Sequence, residues 1–343
     1  MAKKHKNICL VTTVYSFFLY LLLKRYNEND IFIFTGWFPK EVSKNVKHIQ
    51  MPPVIFKGKK FAELNSISGI WKNIVGFIGY LYGYLKLRIL LFIKTFNCDV
   101  EVYGHAQTPF SYIFFENENS NIIEDGLENY IAQICKPHKI NPMIDSILHF
   151  CGIYFLNQCE CYGTHEYIKN IYLTNEHENP LIKDKVKIID IDTLWSNLTK
   201  NEQKNILQIF NIDLNKIYFK KDLVIILTQP LSESDYDITL DEELTIYKNM
   251  IEKFKNENVI IKPHPRDLKN YQEIFPDVEI IDRFFPIELM NLIGIKPKVV
   301  CSALSTALLN FKESKLYVYE EEIPNPILES YRQDLINMIN NQN

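Results

Sequence analysis

The chain has 343 residues, of which 47% are hydrophobic and 23% charged, and its formal net charge is −4. That is a globular composition, long enough for two ordinary domains and with little room for extended disorder. No basic tract is dense enough for a nucleic-acid surface, so any phosphate-binding groups must be local.

At the start, Lys3, Lys4 and Lys6 precede an apolar Ile8–Val11 run in the manner of a secretory leader. Thr12, Thr13, Tyr15 and Ser16 then interrupt the run, and no small-residue cleavage site follows. A strand over 7–12 feeding a helix over 16–24 fits better. The next strand covers 30–35, and continuous rather than alternating apolar residues point to a parallel sheet covered on both faces. Pro39, Pro52 and Pro53 punctuate the connections before an apolar helical region over 64–95. Inside 70–94 the charges are Lys72, Lys86 and Arg88, set among Trp71, Phe77, Tyr80, Tyr82 and Tyr84. No uninterrupted apolar run there reaches the length that spans a bilayer. The segment suits packing within a domain, peripheral contact with a membrane or a homodimer face.

Strands follow at 100–103 and 121–124. From 131 to 185 the pattern weakens into Pro, Cys, Asn and Tyr-rich sequence, with a strand-like piece at 170–173. A strand at 186–191 and a helix at 200–210 lead to a change of domain between 192 and 220. The second half is more regular: strand 223–227, then a helix over 240–255 with Leu244, Tyr247, Met250, Ile251 and Phe254 on one face, then strand 259–261. Strands at 278–281, 299–301 and 316–319 alternate with helices at 286–293 and 303–310. The expected fold is therefore α/β, with Rossmann-like domains over 1–200 and 215–325 and a C-terminal helix over 326–343. Ligands of such sheets gather beyond the carboxyl ends of the strands, where each polar motif below falls.

The seven cysteines are scattered through mostly apolar segments and read as reduced, buried thiols. Cys159 and Cys161, with His165 and His177 after them, lack the spacing of a structural zinc site, so no metal is expected. No Gly-x-x-x-x-Gly-Lys-Ser/Thr loop supports a nucleotide triphosphatase.

Lys262-Pro263-His264-Pro265-Arg266 leaves a buried strand, and its prolines fix the backbone around a titratable side chain. With Lys262 and Arg266 beside it, His264 can bind a phosphate and protonate a departing oxygen. The plain alternative is a turn histidine bonded to backbone. Glu124-Asp125-Gly126 ends another strand and suits a carboxylate that takes a proton from an attacking hydroxyl. Adjacent residues of an extended strand face opposite ways, which makes Asp125 the base and Glu124 an orienting or structural group; an ordinary Asp-Gly turn is the alternative. Ser302, Ser305 and Thr306 lie between a strand and a helix, where hydroxyls cap the helix or hold an anion. Gln229 and Pro230 leave the strand 223–227 towards base or ribose, and Asp235 beyond them is a second candidate base. Thr12, Thr13, Tyr15 and His105 hold the corresponding positions in the first domain, on the acceptor side.

Taken together, Glu124-Asp125-Gly126, Lys262–Arg266 and Ser302–Thr306 resemble the bacterial sialyltransferases of lipooligosaccharide and capsular polysaccharide synthesis, glycosyltransferase family 52. The similarity runs over roughly 7–320 and is densest after 220. It implies a GT-B architecture with two domains facing a central cleft. It implies transfer from CMP-sialic acid, with inversion and without a metal, to a terminal sugar hydroxyl such as galactose. It also implies that His264 is the general acid and that the Ser302–Thr306 hydroxyls hold the donor phosphate. Relatives differ over the base, so Asp125 and Asp235 both stay open. The expected location is the cytoplasm or, peripherally, the inner face of its membrane.

Overall fold

The computed structural model of the chain describes residues 3–35, 38–51, 82–105, 112–115, 119–126, 129–130, 163–164, 166–177, 179–214, 221–233, 237–321, 323 and 325–340. It divides into two compact units, Met1–Ile209 and Phe210–Asn343.

The first unit holds strands β1 (Lys4–Val11), β2 (Ile31–Phe34), β3 (His48–Gln50), β4 (Cys98–Gly104), β5 (Ser120–Ile123), β6 (Ile168–Leu173) and β7 (Val186–Ile188). They form one parallel sheet in the order β3-β2-β1-β4-β5-β6-β7. Helix α1 (Val14–Lys24) follows β1 and is buried from Phe17 to Leu22, an apolar surface that no solvent-facing helix would carry. Phe17 meets Phe32, Phe34 and Phe38 edge-on at 5.2 to 5.9 Å, the favoured packing of aromatic rings. On another part of the sheet Ile8, Leu10, Val102, Ile122 and Ile171 form a core with Tyr84, Leu87 and Leu91 of a helix over 82–95.

The second unit pairs β8 (Leu223–Leu227), β9 (Asn258–Lys262), β10 (Glu279–Ile280), β11 (Val299–Ser302) and β12 (Lys315–Val318) in parallel, in the order β10-β9-β8-β11-β12. A 14-residue helix, Leu240–Lys253, begins on a capping box in which Thr239 and Glu242 satisfy each other's backbone amides. The terminal helix Pro326–Asn340 is tied back to this unit by Arg332, which donates to the Tyr319 carbonyl at 2.7 Å.

Several details depart from the sequence expectation. The expected helix over 303–310 is a short 3₁₀ segment, Thr306–Asn310, because Ser302 and Ser305 take up the turn before it. A helix over Ile191–Ser196 was not expected. Asp190 starts it by accepting the Thr193 amide at 2.6 Å, a cap the sequence does display. The helix Lys200–Ile209, left between the two expected domains, belongs to the first unit.

Candidate functional site

In both sheets the strand order reverses beside the first strand, between β1 and β4 and between β8 and β11. Such reversals open a crevice at the carboxyl ends of the strands. Register sets what reaches it. Leu10 pairs with Gly104, and Gly104 with Ile122, so Thr12-Thr13, His105 and Glu124-Asp125 leave the first sheet at nearly one level. Gly104 has φ +145°, and a Cβ there would meet the Leu10 carbonyl at 2.3 Å, so only glycine allows this approach.

The Asp125 carboxylate is held by both threonines: Thr12 Oγ1 and Thr13 Oγ1 each donate to its Oδ1 at 2.6 Å. These are short, charge-assisted bonds beside the N-terminus of α1, which also favours negative charge. Thr13 is at the same time the N-cap of α1, reciprocally bonded with Ser16. Among the described residues Oδ2 of Asp125 accepts no hydrogen bond, and the Asp125 amide donates to Asn129 Oδ1 at 2.7 Å. Glu124 points the other way. Buried, it accepts from Tyr130 at 2.7 Å, from the Thr174 amide and hydroxyl at 2.6 and 2.8 Å, and from Tyr15 at 3.3 Å. It joins β5 to the end of β6. Gly126 follows with φ +134°. His105 is buried at the end of β4.

In the second unit Leu227 pairs with Lys262 on one side and Ser302 on the other, which brings the loops after β8, β9 and β11 to one level. His264 is held at three points. Its Nδ1 accepts the Arg266 amide at 3.1 Å, its own amide donates to Thr228 Oγ1 at 3.3 Å, and its carbonyl accepts the Asp267 amide at 2.9 Å. With Nδ1 an acceptor, the proton of the neutral ring sits on Nε2. Burial first, then the charges of Arg266 and Lys262, hold the imidazole down at about 4, with Asp267 opposing them. Near pH 7 the ring is therefore neutral.

Lys262, expected among the anion-binding groups, is buried with its ammonium directed at the carbonyls of Pro263 and Arg283, at 2.7 and 2.9 Å. Burial lowers it to about 8. It braces the turn from within, while Arg266 is exposed. Ser302 is likewise occupied: its Oγ donates to the Leu227 carbonyl and accepts the Ser305 amide, both at 3.0 Å. Ser305 caps the 3₁₀ segment through the Ala307 amide at 3.3 Å, and Thr306 follows at its first turn. Gln229 is fixed through its backbone, whose N–H donates to Tyr247 Oη at 2.8 Å while the same hydroxyl donates to its carbonyl at 2.7 Å. Pro230 follows it. Asp235 lies outside the described residues.

Sequence reasoning missed the groups that hold these loops. Asp267, wholly buried, accepts from Thr228 at 2.9 Å and Tyr271 at 2.7 Å. Lys269 reaches Glu233, Glu243 and Asp267 at 3.0, 3.0 and 3.2 Å, and Glu243 accepts the Ser232 amide and hydroxyl at 2.7 and 2.6 Å. The acidic run Asp241-Glu242-Glu243 resembles a solvated helix start, which hides the one member that turns inward. Of the cysteine-histidine group, His177 has both ring nitrogens hydrogen-bonded, to the Asn129 carbonyl and the Asn179 amide. Cys159, Cys161 and His165 lie outside the described residues. Among the described residues no helix is long and apolar enough to cross a membrane.

Residues 90–323 match the sequence profile of glycosyltransferase family 52. An uncharacterized protein of Haemophilus influenzae is 29% identical over 333 residues, covering 95% of this chain and 98% of the relative. The fold is similar to the GT-B domain of a Photobacterium damselae sialyltransferase, with a TM-score of 0.59, 13% identity and coverage of 98% and 97% of the two chains. It is also similar to a Photobacterium sp. 2,6-sialyltransferase solved with donor product CMP and acceptor substrate lactose. There the TM-score is 0.59, identity 11% and coverage 98% and 76%.

Proposed function

Because the chain belongs to glycosyltransferase family 52 and is a glycosyltransferase of the GT-B fold, we propose that it moves sialic acid from CMP-sialic acid to a terminal sugar hydroxyl, galactose first, of a bacterial surface glycan. One observation supports this reading: among the described residues, Asp125 in the first unit and His264 in the second each stand at the strand-order reversal with the side chain held by hydrogen bonds.

In this mechanism Asp125 accepts the proton of the acceptor hydroxyl as its oxygen attacks the anomeric carbon of the donor. The threonine bonds fix the orientation of the carboxylate, and the proton transfers as the new glycosidic bond forms. The bond from the anomeric carbon to the phosphate oxygen breaks on the opposite face, giving inversion. The phosphate raises the imidazole so that it takes a second proton, on Nδ1 in place of the Arg266 amide contact; the imidazolium then donates from Nε2 to that oxygen and is left neutral. Arg266 and the Thr306 hydroxyl offset the phosphate charge. Lys262 and Ser302 support the loops that present them. Protein groups supply all of this chemistry, and the reading assigns no step to a metal. A nucleotide-sugar donor makes the cytoplasm the expected location.

The test is a donor panel: purified protein with CMP- and UDP-activated sugars and lactose. Release of CMP with formation of sialylated lactose is expected. Turnover of a UDP-sugar instead overturns the donor assignment. Comparing Asp125→Asn with Asp235→Asn tests the base: an inactive Asp235→Asn beside an active Asp125→Asn removes Asp125 from the role.

A further inference from the structure

The helix over 82–95 places Tyr84, Leu87 and Leu91 in the core of the first unit. Its opposite face is apolar too. Tyr82, Leu85, Ile89, Phe92 and Ile93 are exposed, the last two at 65% and 68%, and Phe96 just past the end is 70% exposed. At about 100° per residue, the five helical positions fall within an arc of about 100°, close to diametrically opposite the buried set. Lys86 and Arg88, both exposed, lie just outside either edge of that arc. Arg88 donates to the Tyr84 hydroxyl, which holds its stem along the helix. Within 82–98 the charged residues are Lys86, Arg88 and Lys94, with no Asp or Glu among them, in a chain whose net charge is −4.

An apolar stripe bordered on both sides by cations matches an anionic lipid surface, with hydrocarbon under the stripe and phosphates at the edges. We propose that this helix face seats the protein peripherally on an anionic phospholipid membrane. The inference deepens the proposed function, since a membrane-seated enzyme works where a lipid-linked acceptor glycan is anchored.

The test is flotation of the full chain with vesicles of phosphatidylethanolamine and phosphatidylglycerol, against vesicles of phosphatidylcholine alone. Binding to the anionic vesicles at low salt is expected, weaker by about tenfold or more on the neutral ones and in high salt. Ile89→Glu with Phe92→Glu in one chain is expected to abolish it. Lys86→Gln with Arg88→Gln should cut it about tenfold or more, at roughly one Boltzmann-weighted contact per cation. Thermal unfolding and turnover of soluble lactose serve as controls and should stay near wild type. No anionic-vesicle binding by the wild-type chain overturns the proposal. So does equal binding to both vesicles, or a dimer abolished by Ile89→Glu and Phe92→Glu without vesicle binding. Flotation uses no donor sugar, so its failure and that of the donor panel are separately legible.

Discussion

Asp125 and Glu124 are adjacent carboxylates with different surroundings, and their partners set them apart. Among the described residues Asp125 accepts only from Thr12 and Thr13 through one oxygen, whereas Glu124 is surrounded by Tyr130, Thr174 and Tyr15. Asp125→Asn keeps the shape and removes the proposed base, so kcat is expected to fall by about 10²-fold or more with the unfolding midpoint little changed. Glu124→Gln puts an amide where only acceptors fit, and denaturant unfolding should show a loss of about 1–3 kcal/mol. His264 carries a pH signature. Its folded value near 4 lies below that of a free imidazole, so between these values the unfolded chain binds more protons. Stability therefore rises with pH across that window and is lost as pH falls through it, by an upper bound on the order of 3 kcal/mol. A bound phosphate raises the imidazole, so CMP binding near pH 5.5 should take up protons. Calorimetry in two buffers of different ionisation enthalpy measures that uptake, which His264→Gln should lack.

At the scale of elements, the loops are fixed by groups outside the motifs. The start of the Leu240–Lys253 helix reaches the loop after β8 through Glu243, and Lys269 ties the same carboxylate to Asp267 and Glu233. Glu243→Leu leaves the Ser232 amide and part of the Lys269 charge unmatched in the interior. A stability loss of about 3 kcal/mol is expected by urea unfolding, together with a higher KM for the donor. Gly104 is the corresponding pin of the first unit. Gly104→Val combines a positive φ with a 2.3 Å clash against β1, and is expected to abolish soluble expression or lower the unfolding midpoint severely. The strands were legible because buried parallel strands are continuous apolar runs: Leu223–Leu227 and Ile31–Phe34 show no other pattern. The 3₁₀ segment at Thr306–Asn310 was not, since serine side chains that bond their own turn leave a helix-like sequence without a helix.

For the whole molecule, family 52 membership and the GT-B fold agree with a chain of two parallel-sheet units, each carrying its polar motifs at strand ends. The proposed chemistry draws its acid, its base and its phosphate counter-charge from side chains. Turnover is therefore expected to survive exhaustive chelation unchanged, measured as CMP release before and after metal is restored.

The sequence by itself determined the α/β class, every strand of the two sheets except the short edge strand β3, whose His48-Ile49-Gln50 carries no apolar run, and the placement of Asp125, His264 and Ser305 at strand ends. Apolar continuity and proline and glycine chemistry are local, and local signals survive in a linear string. Only the tertiary structure decided that Lys262 faces inward, which groups Glu124 joins, and that Asp267, Glu243 and Lys269 hold the loops. Those outcomes depend on which distant groups share a buried space, where a charge must find partners or lose its ionisation. The first of the motifs to stand out, Lys262–Arg266, was visible in the sequence as a charged turn; its orientation came from Thr228 and the Arg266 amide.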